Sequence, residues 1–416
     1  MRDFHAVIIG GDLGAYALAR ELNEAYNIRP ILVTAYNPLT IRDSHILSRE
    51  HCENASDAPT LVKKLLDIGQ RLKDKNPDRP LLLLANTDWR IQVLADYREE
   101  LEKFYIVPIP GSRTIEQVSD KQGFAEIAAQ CSMPVPASFY ADFSAADAPD
   151  FTLPLPPEDF PFPVICKPAK SSDYENLLFE GRQKIYLIDT REDLEKLWDT
   201  LRDAGFRGTF IAQELVAGDD TCMYSVTSYV DSRGEVSLNC SAHVLLQEHH
   251  PSTLGNPCAM VTEPIEELLD AARRFLTTVN YRGFANFDVK RDKNTGAFYF
   301  LEVNPRIGRN SYYVAGAGVN PMRHLVEDCV FGEPCESVVA QKRILYSIIP
   351  FSLLSRYILD SSTRKDVRAL NRHHKINPLD NPRDNSVRRR AYRFIQEVNQ
   401  VKKFREYYPK PTNSGI

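Results

Sequence analysis

The chain has 416 residues, 43% hydrophobic and 26% charged, more than one hydrophobic core usually serves, so two or three domains are expected. Its net charge of -5, from 51 Lys/Arg against 56 Asp/Glu, gives no whole-chain argument for nucleic acid or an anionic membrane as partner. The balance is uneven: residues 337–416 carry 17 Lys/Arg against 6 Asp/Glu, so a basic tail follows an acidic body. The eight cysteines are scattered without a CxxC pair, which excludes a zinc ribbon or a disulfide framework and reads as free thiols of a reducing compartment. The first residues lack the layout of a signal peptide, and no stretch approaches the roughly 18 apolar residues that span a bilayer. A cytoplasmic protein is expected.

In chain order, an apolar run (residues 6–9) meets Gly10-Gly11-Asp12-Leu13-Gly14 and a helix over residues 15–26, followed by a second short run at 30–33. This is a βαβ unit. A helical pattern over 61–73 precedes Leu81-Leu82-Leu83-Leu84, whose continuous apolarity suits a parallel strand covered on both faces. Residues 1–113 therefore read as a small doubly wound, Rossmann-like α/β domain. The glycine loop is not the GxGxxG fingerprint, and Thr34 stands where a dinucleotide site needs an acid, so a turn lining a substrate cleft is the better reading. Residues 133–168 hold nine of the 27 prolines, a composition that suits a connector or hinge. Val164-Ile165-Cys166-Lys167, a helix over 191–204 and strand-rich sequence from 209 to 239 follow, then a helix over 263–278. His243, His249 and His250 flank a loop over 247–258 and read as structural or solvated histidines.

The sharpest feature is the segment pair 284–291 and 297–304, joined by Asp292-Lys293-Asn294-Thr295-Gly296, a composition suited to a tight turn. A hairpin centred near Thr295 sets Asp288 opposite Glu302 and puts Asn304 on the face of Glu302. Three oxygen-bearing side chains then converge, as a Mg2+ bridging a nucleotide to a protein requires. Taken singly, each acid has an equally good reading as a solvated hairpin residue. Glu302 and Asn304 lie inside an otherwise apolar strand, however, where an unpaired carboxylate is costly, and the set favours a metal site. Arg306, two residues on, has the planar fork that clamps a phosphate or carboxylate. Lys121 follows Ser119 and Asp120 at a helix start, with Ser119 and Gln122 spaced as a capping box; Lys167 ends an apolar strand. Either lysine alone reads as solvated, and both gain weight as a pair able to face phosphates.

The order Lys121, Cys166-Lys167-Pro168, Gln213-Glu214-Leu215-Val216-Ala217-Gly218-Asp219-Asp220, Asp288 and Glu302-Val303-Asn304-Pro305-Arg306 resembles the ATP-grasp superfamily across residues 114–332. The resemblance implies α+β ATP-grasp lobes over 114–335, with a small mobile lobe about 164–216, and a mostly helical basic appendage over 336–416. It further implies that Lys121 and Lys167 contact phosphates and adenine, that Gln213, Glu214 and Leu215 lie at the adenine hinge, and that Asp219 or Asp220 takes the ribose. Asp288, Glu302 and Asn304 would hold Mg2+, for which Mn2+ can stand in, while Arg306, with Lys167, would steady an acyl-phosphate. The departure is the flap: residues 169–176 contain no glycine, leaving Ser171 and Ser172 as substitutes for backbone amides. Gly10-Gly11-Asp12, Tyr16-Ala17-Leu18-Ala19-Arg20, Asn86-Thr87-Asp88-Trp89, Ile106-Val107-Pro108 and Lys167-Pro168-Ala169 with Tyr174 are similar to the D-aspartate ligase group of carboxylate-amine ligases.

That likeness implies an ATP-dependent ligase joining a small-molecule carboxylate to an amine acceptor, with a peptidoglycan precursor as the acceptor. Competing readings are a ligase that joins free amino acids, a non-catalytic nucleotide sensor and a nicotinamide dehydrogenase. The complete acid set disfavours the sensor, and the missing fingerprint disfavours the dehydrogenase. For the basic tail, a helical segment packed on the core competes with a platform making peripheral membrane contact.

Overall fold

In the computed structural model, the structure describes residues 3–169, 174, 177–183 and 185–412. The first sheet is parallel, in the order Ser48–His51, Ile31–Thr34, His5–Ile9, Leu81–Leu84. Its continuous apolarity has a simple cause. Ala6, Ile8, Leu82 and Leu84 join one core with the helix Leu13–Tyr26, while Val7, Ile9, Leu81 and Leu83 join another with Leu61, Leu65 and Ile68 of the helix Ala58–Lys75. Asp12 caps the first helix by accepting from the Ala15 amide at 2.9 Å. Gly14 is required by close approach, since a Cβ there would sit 1.9 Å from Asn86 Nδ2. The edge strand Ser48–His51 escaped the sequence reading because it is short, polar and mostly exposed.

A second, antiparallel sheet runs in the order Ser138–Asp142, Thr209–Glu214, Val164–Pro168, Tyr186–Ile188. The helix Arg191–Asp203 covers one face, where Val164 and Cys166 meet Trp198, Phe206 and Phe210. Strand alternation therefore turns Ile165 and Lys167 to the opposite, open face.

The third sheet is the largest, in the order Phe298–Asn304, Gly283–Arg291, Met223–Val230, Val236–Gln247, Pro257–Thr262, Leu345–Ser347, Lys375–Ile376, with Val338–Val339 paired beside Val236–Gln247. The C-terminal segment is mostly helical, as expected, and it also contributes the strands Leu345–Ser347 and Lys375–Ile376 to this sheet. Ile349, Leu353, Tyr357, Phe404 and Tyr408 share a core with Ile8 and Leu18 of the first domain. The tail is thus packed into the body. No helix among the described residues is long and apolar enough to cross a membrane.

Candidate active site

The hairpin pairs Asp288 with Glu302 and Asn286 with Asn304, the register read from the alternation. Gly296 takes the positive φ of its turn (77°), and Asp292 accepts from the amides of Asn294 and Thr295. A register shift between Asp288 and Val289 leaves Leu301 as the extra residue, so Leu301 and Glu302 both line one cleft. The bulge changes the environment expected for Glu302, which is exposed to the cleft rather than held in an apolar strand. Asp288 is half-buried, and burial together with the facing Glu302 holds its carboxyl well above the usual carboxylate range. Asn304 donates to Asp288 Oδ2 at 3.3 Å and accepts from Arg306 Nη2 at 3.0 Å.

Arg306 also grips Asp88 with both arms of its guanidinium, Nε at 2.8 Å and Nη2 at 3.0 Å. Asp88 opens the helix Asp88–Asp96 of the first domain, so this pair joins that domain to the end of the hairpin. Across the cleft, burial and the adjacent Lys121 bring the Lys167 ammonium down to about 8, with Glu302 opposing the shift. Lys121 is the first residue of the helix Lys121–Gln130. The expected capping box is corrected here: Asp120 caps this helix by accepting from the Gly123 amide, because Ser119 is still the last residue of the preceding helix, Ser112–Ser119.

The cleft, about 600 Å3, lies between the second and third sheets and is lined by Lys167, Gln213, Glu214, Leu215, Asp288, Glu302, Asn304 and Arg306. Gln213 donates to Ser138 Oγ, and Glu214 accepts from the Ala137 amide, so both sit fixed where the second sheet ends. Ile165, Leu215, Val216, Met223 and Leu301 supply an apolar lining suited to a flat base. The structure does not bring Asp219 or Asp220 to this lining. Asp219 accepts from the Thr221 amide and hydroxyl, and buried Asp220 accepts from the Gln247 amide and His249 Nε2, both at 2.9 Å. Their carboxylates serve the local turn and the 247–256 loop, away from the lining on which the sequence reading placed the ribose. His243 contacts the Thr221 carbonyl and stacks on Tyr224, and His249 stacks on Tyr408 at 3.6 Å, in keeping with structural roles. Lys170, Ser171, Ser172, Asp173, Glu175 and Asn176 of the glycine-free flap lie outside the described residues.

Sequence reasoning missed Lys290, Arg309, Asn286 and Asn310 on the lining. Arg309 donates to Glu248 Oε2 at 2.9 Å, and the other oxygen of Glu248 accepts from Gln400 of the C-terminal helix Val387–Tyr407 at 2.6 Å. The period-two pattern of residues 283–291 holds a signal for Asn286 and Lys290, since both share the face of Asp288. Nothing local to Arg309 signals its partner, 61 residues away.

The two facing carboxylates and a neighbouring amide oxygen form a hard donor set. The repulsion that raises Asp288 is the kind a divalent cation relieves, so these residues fit Mg2+.

Residues 181–317 match the family described as carbamoyl-phosphate synthase L chain, ATP binding domain. The D-aspartate ligase of Enterococcus faecium (strain Aus0004) is 27% identical over 413 residues, covering 98% of this chain and 97% of that protein. Among solved structures, the L-amino acid ligase from Bacillus licheniformis matches with a TM-score of 0.52 at 15% identity, over 81% of this chain and 76% of that one. The biotin carboxylase domain of the Hydrogenobacter thermophilus 2-oxoglutarate carboxylase, solved with MgADP, matches with a TM-score of 0.57 at 13% identity, over 81% and 72%. At these identities the structural likenesses speak to the fold.

Proposed function

Because the chain belongs to the ATP-grasp carboxylate-amine ligases, we propose that it activates the carboxylate of an amino acid, D-aspartate first among candidates, and transfers it to an amine of a peptidoglycan precursor. One observation carries the ligase chemistry: Lys167 of the second sheet faces Asp288 and Glu302 of the third across one cleft, close enough that Glu302 acts on its charge. The near end-to-end similarity to a D-aspartate ligase supports the choice of substrate.

In this reading, the base of ATP lies against Ile165, Leu215 and Met223, beside Gln213 and Glu214. Lys121 and Lys167 hold the phosphates, whose charge restores the proton that burial makes Lys167 hold weakly. Asp288, Glu302 and Asn304 would hold Mg2+, or Mn2+ in its place, which when bound would offset charge on the transferring phosphoryl group. The substrate carboxylate oxygen attacks the γ-phosphorus, the bond to the β-γ bridging oxygen breaks, and ADP leaves. An amine nitrogen then adds to the acyl carbon and phosphate departs, with loss of one proton from nitrogen. Arg306 takes the substrate carboxylate by exchanging it for exposed Asp88, which occupies its fork in the free protein, and Arg309 adds a second cation at the same end. The phosphorylation is needed because a free carboxylate lacks an adequate leaving group. The requirement for ATP also supports a cytoplasmic site.

The experiment is ADP release with Mg-ATP against D- and L-amino acids, each with and without a stem-peptide precursor. D-aspartate with the precursor is expected to give the fastest release. Stimulation by free amino-acid pairs alone would move the assignment to a dipeptide-forming ligase, and no stimulation by any pair would end the ligase reading.

A further inference from the structure

The C-terminal helix Val387–Tyr407 has two faces of opposite character. Its inner face is fixed to the body. Arg389 donates to the carbonyls of Leu39, Thr40 and Arg42, Gln400 donates to Glu248, and Phe404 is buried in the main core. Its outer face carries apolar residues in water: Val387 is 73% exposed and Phe394 66%, with Ile395 and Val398 also exposed. At about 3.6 residues per turn, Val387, Ala391, Phe394, Ile395 and Val398 fall on one stripe. Arg388 and Arg390 border it at one end, and exposed Lys402 and Arg405 continue it at the other.

We propose that this helix is a docking surface for an anionic lipid bilayer, lying in the plane of the interface with the stripe among the acyl chains and the arginines and lysines at the headgroups. Charge complementarity selects this occupant. A second copy of the chain would set the basic ends of the two stripes against one another in either parallel or antiparallel pairing, placing like charge against like. A negatively charged lipid surface meets all four cations at once, and residues 337–416 together carry 17 Lys/Arg against 6 Asp/Glu. Arg388 also lies 3.6 Å from Asp43, an exposed pair that a lipid phosphate can replace. Because the inner face is packed into the core, docking places the whole body at a fixed orientation to the membrane.

The test uses the full chain and sucrose-loaded vesicles of phosphatidylcholine, with and without phosphatidylglycerol. Sedimentation with the phosphatidylglycerol vesicles is expected, weakening as salt is raised. The double substitution Phe394→Glu with Val398→Glu should weaken it more than about tenfold, and Arg390→Glu with Arg405→Glu should do the same. Both pairs are solvent-facing, so the melting temperature should stay at the wild-type value, which separates lost docking from lost folding. Absence of sedimentation with phosphatidylglycerol vesicles overturns the proposal, as does equal binding by the Phe394/Val398 variant. A dimer in sedimentation velocity that Phe394→Glu dissociates, without vesicle binding, assigns the stripe to self-association instead.

Discussion

Replacing Glu248 by alanine removes a carboxylate that serves both Arg309 in the cleft and Gln400 in the C-terminal helix. Glu248 is 2% exposed, and the Arg309 side chain is 23% exposed. Breaking a fully buried pair costs about 3–5 kcal/mol, because the remaining charge is left without a partner. The partial access of Arg309 to water discounts this to about 2–3 kcal/mol, including the hydrogen bond lost by Gln400. At about 2–4 °C per kcal/mol for a domain of the relevant size, the melting temperature should fall by roughly 5–10 °C in thermal denaturation. Gln400→Ala, which leaves the ion pair intact, should cost about 1 kcal/mol. Turnover separates the two contributions: Glu248→Ala should lower ADP release below the level explained by its unfolded fraction, since Arg309 is released from its place on the lining. A melting temperature within about 1 °C of wild type would refute the claim that this carboxylate anchors loop, cleft and helix together.

Other outcomes follow from the same geometry. With Lys167 at about 8 in the free protein, ATP binding must take up a proton above that pH, so calorimetric ATP affinity should fall as pH rises through and beyond 8. Lys167→Met should remove that pH dependence. Because burial and Glu302 raise Asp288, metal and proton compete for it, and Mg2+ affinity should rise with pH through its raised titration range; Asp288→Asn should flatten the dependence. Glu302→Ala should reduce Mg-dependent ADP release by at least about 100-fold with little change in melting temperature, as its side chain is exposed. Asp220→Ala should instead lower the melting temperature by loosening the 247–256 loop, and unchanged stability would contradict its structural role.

The parts of this molecule legible in its sequence are those fixed by short-range rules. Strand alternation places Lys167 and Asp288 on open faces, and the turn residues of 292–296 set the register that pairs Asp288 with Glu302. The bulge at Leu301 was not legible, since nothing in an apolar run marks which residue will be left unpaired. Asp120 and Ser119 are both good caps, and the choice between them depends on where the preceding helix ends. Asp220 resembles Asp219 in sequence, yet its partners stand 27 and 29 residues away and draw it from the cleft. The pairing of Arg306 with Asp88, 218 residues apart, and the insertion of Leu345–Ser347 into the third sheet are decided by tertiary packing. No local periodicity encodes them.

The central claim is that a carboxylate is activated by phosphorylation in this cleft. It is tested most directly by supplying D-aspartate labelled with 18O in its carboxylates, together with Mg-ATP and a stem-peptide precursor, and reading the released phosphate by mass spectrometry. Transfer of one 18O atom to phosphate for each ADP formed is the expected result, and its loss in Glu302→Ala would tie the step to the hairpin. Unlabelled phosphate, released while amide product accumulates, would contradict the account.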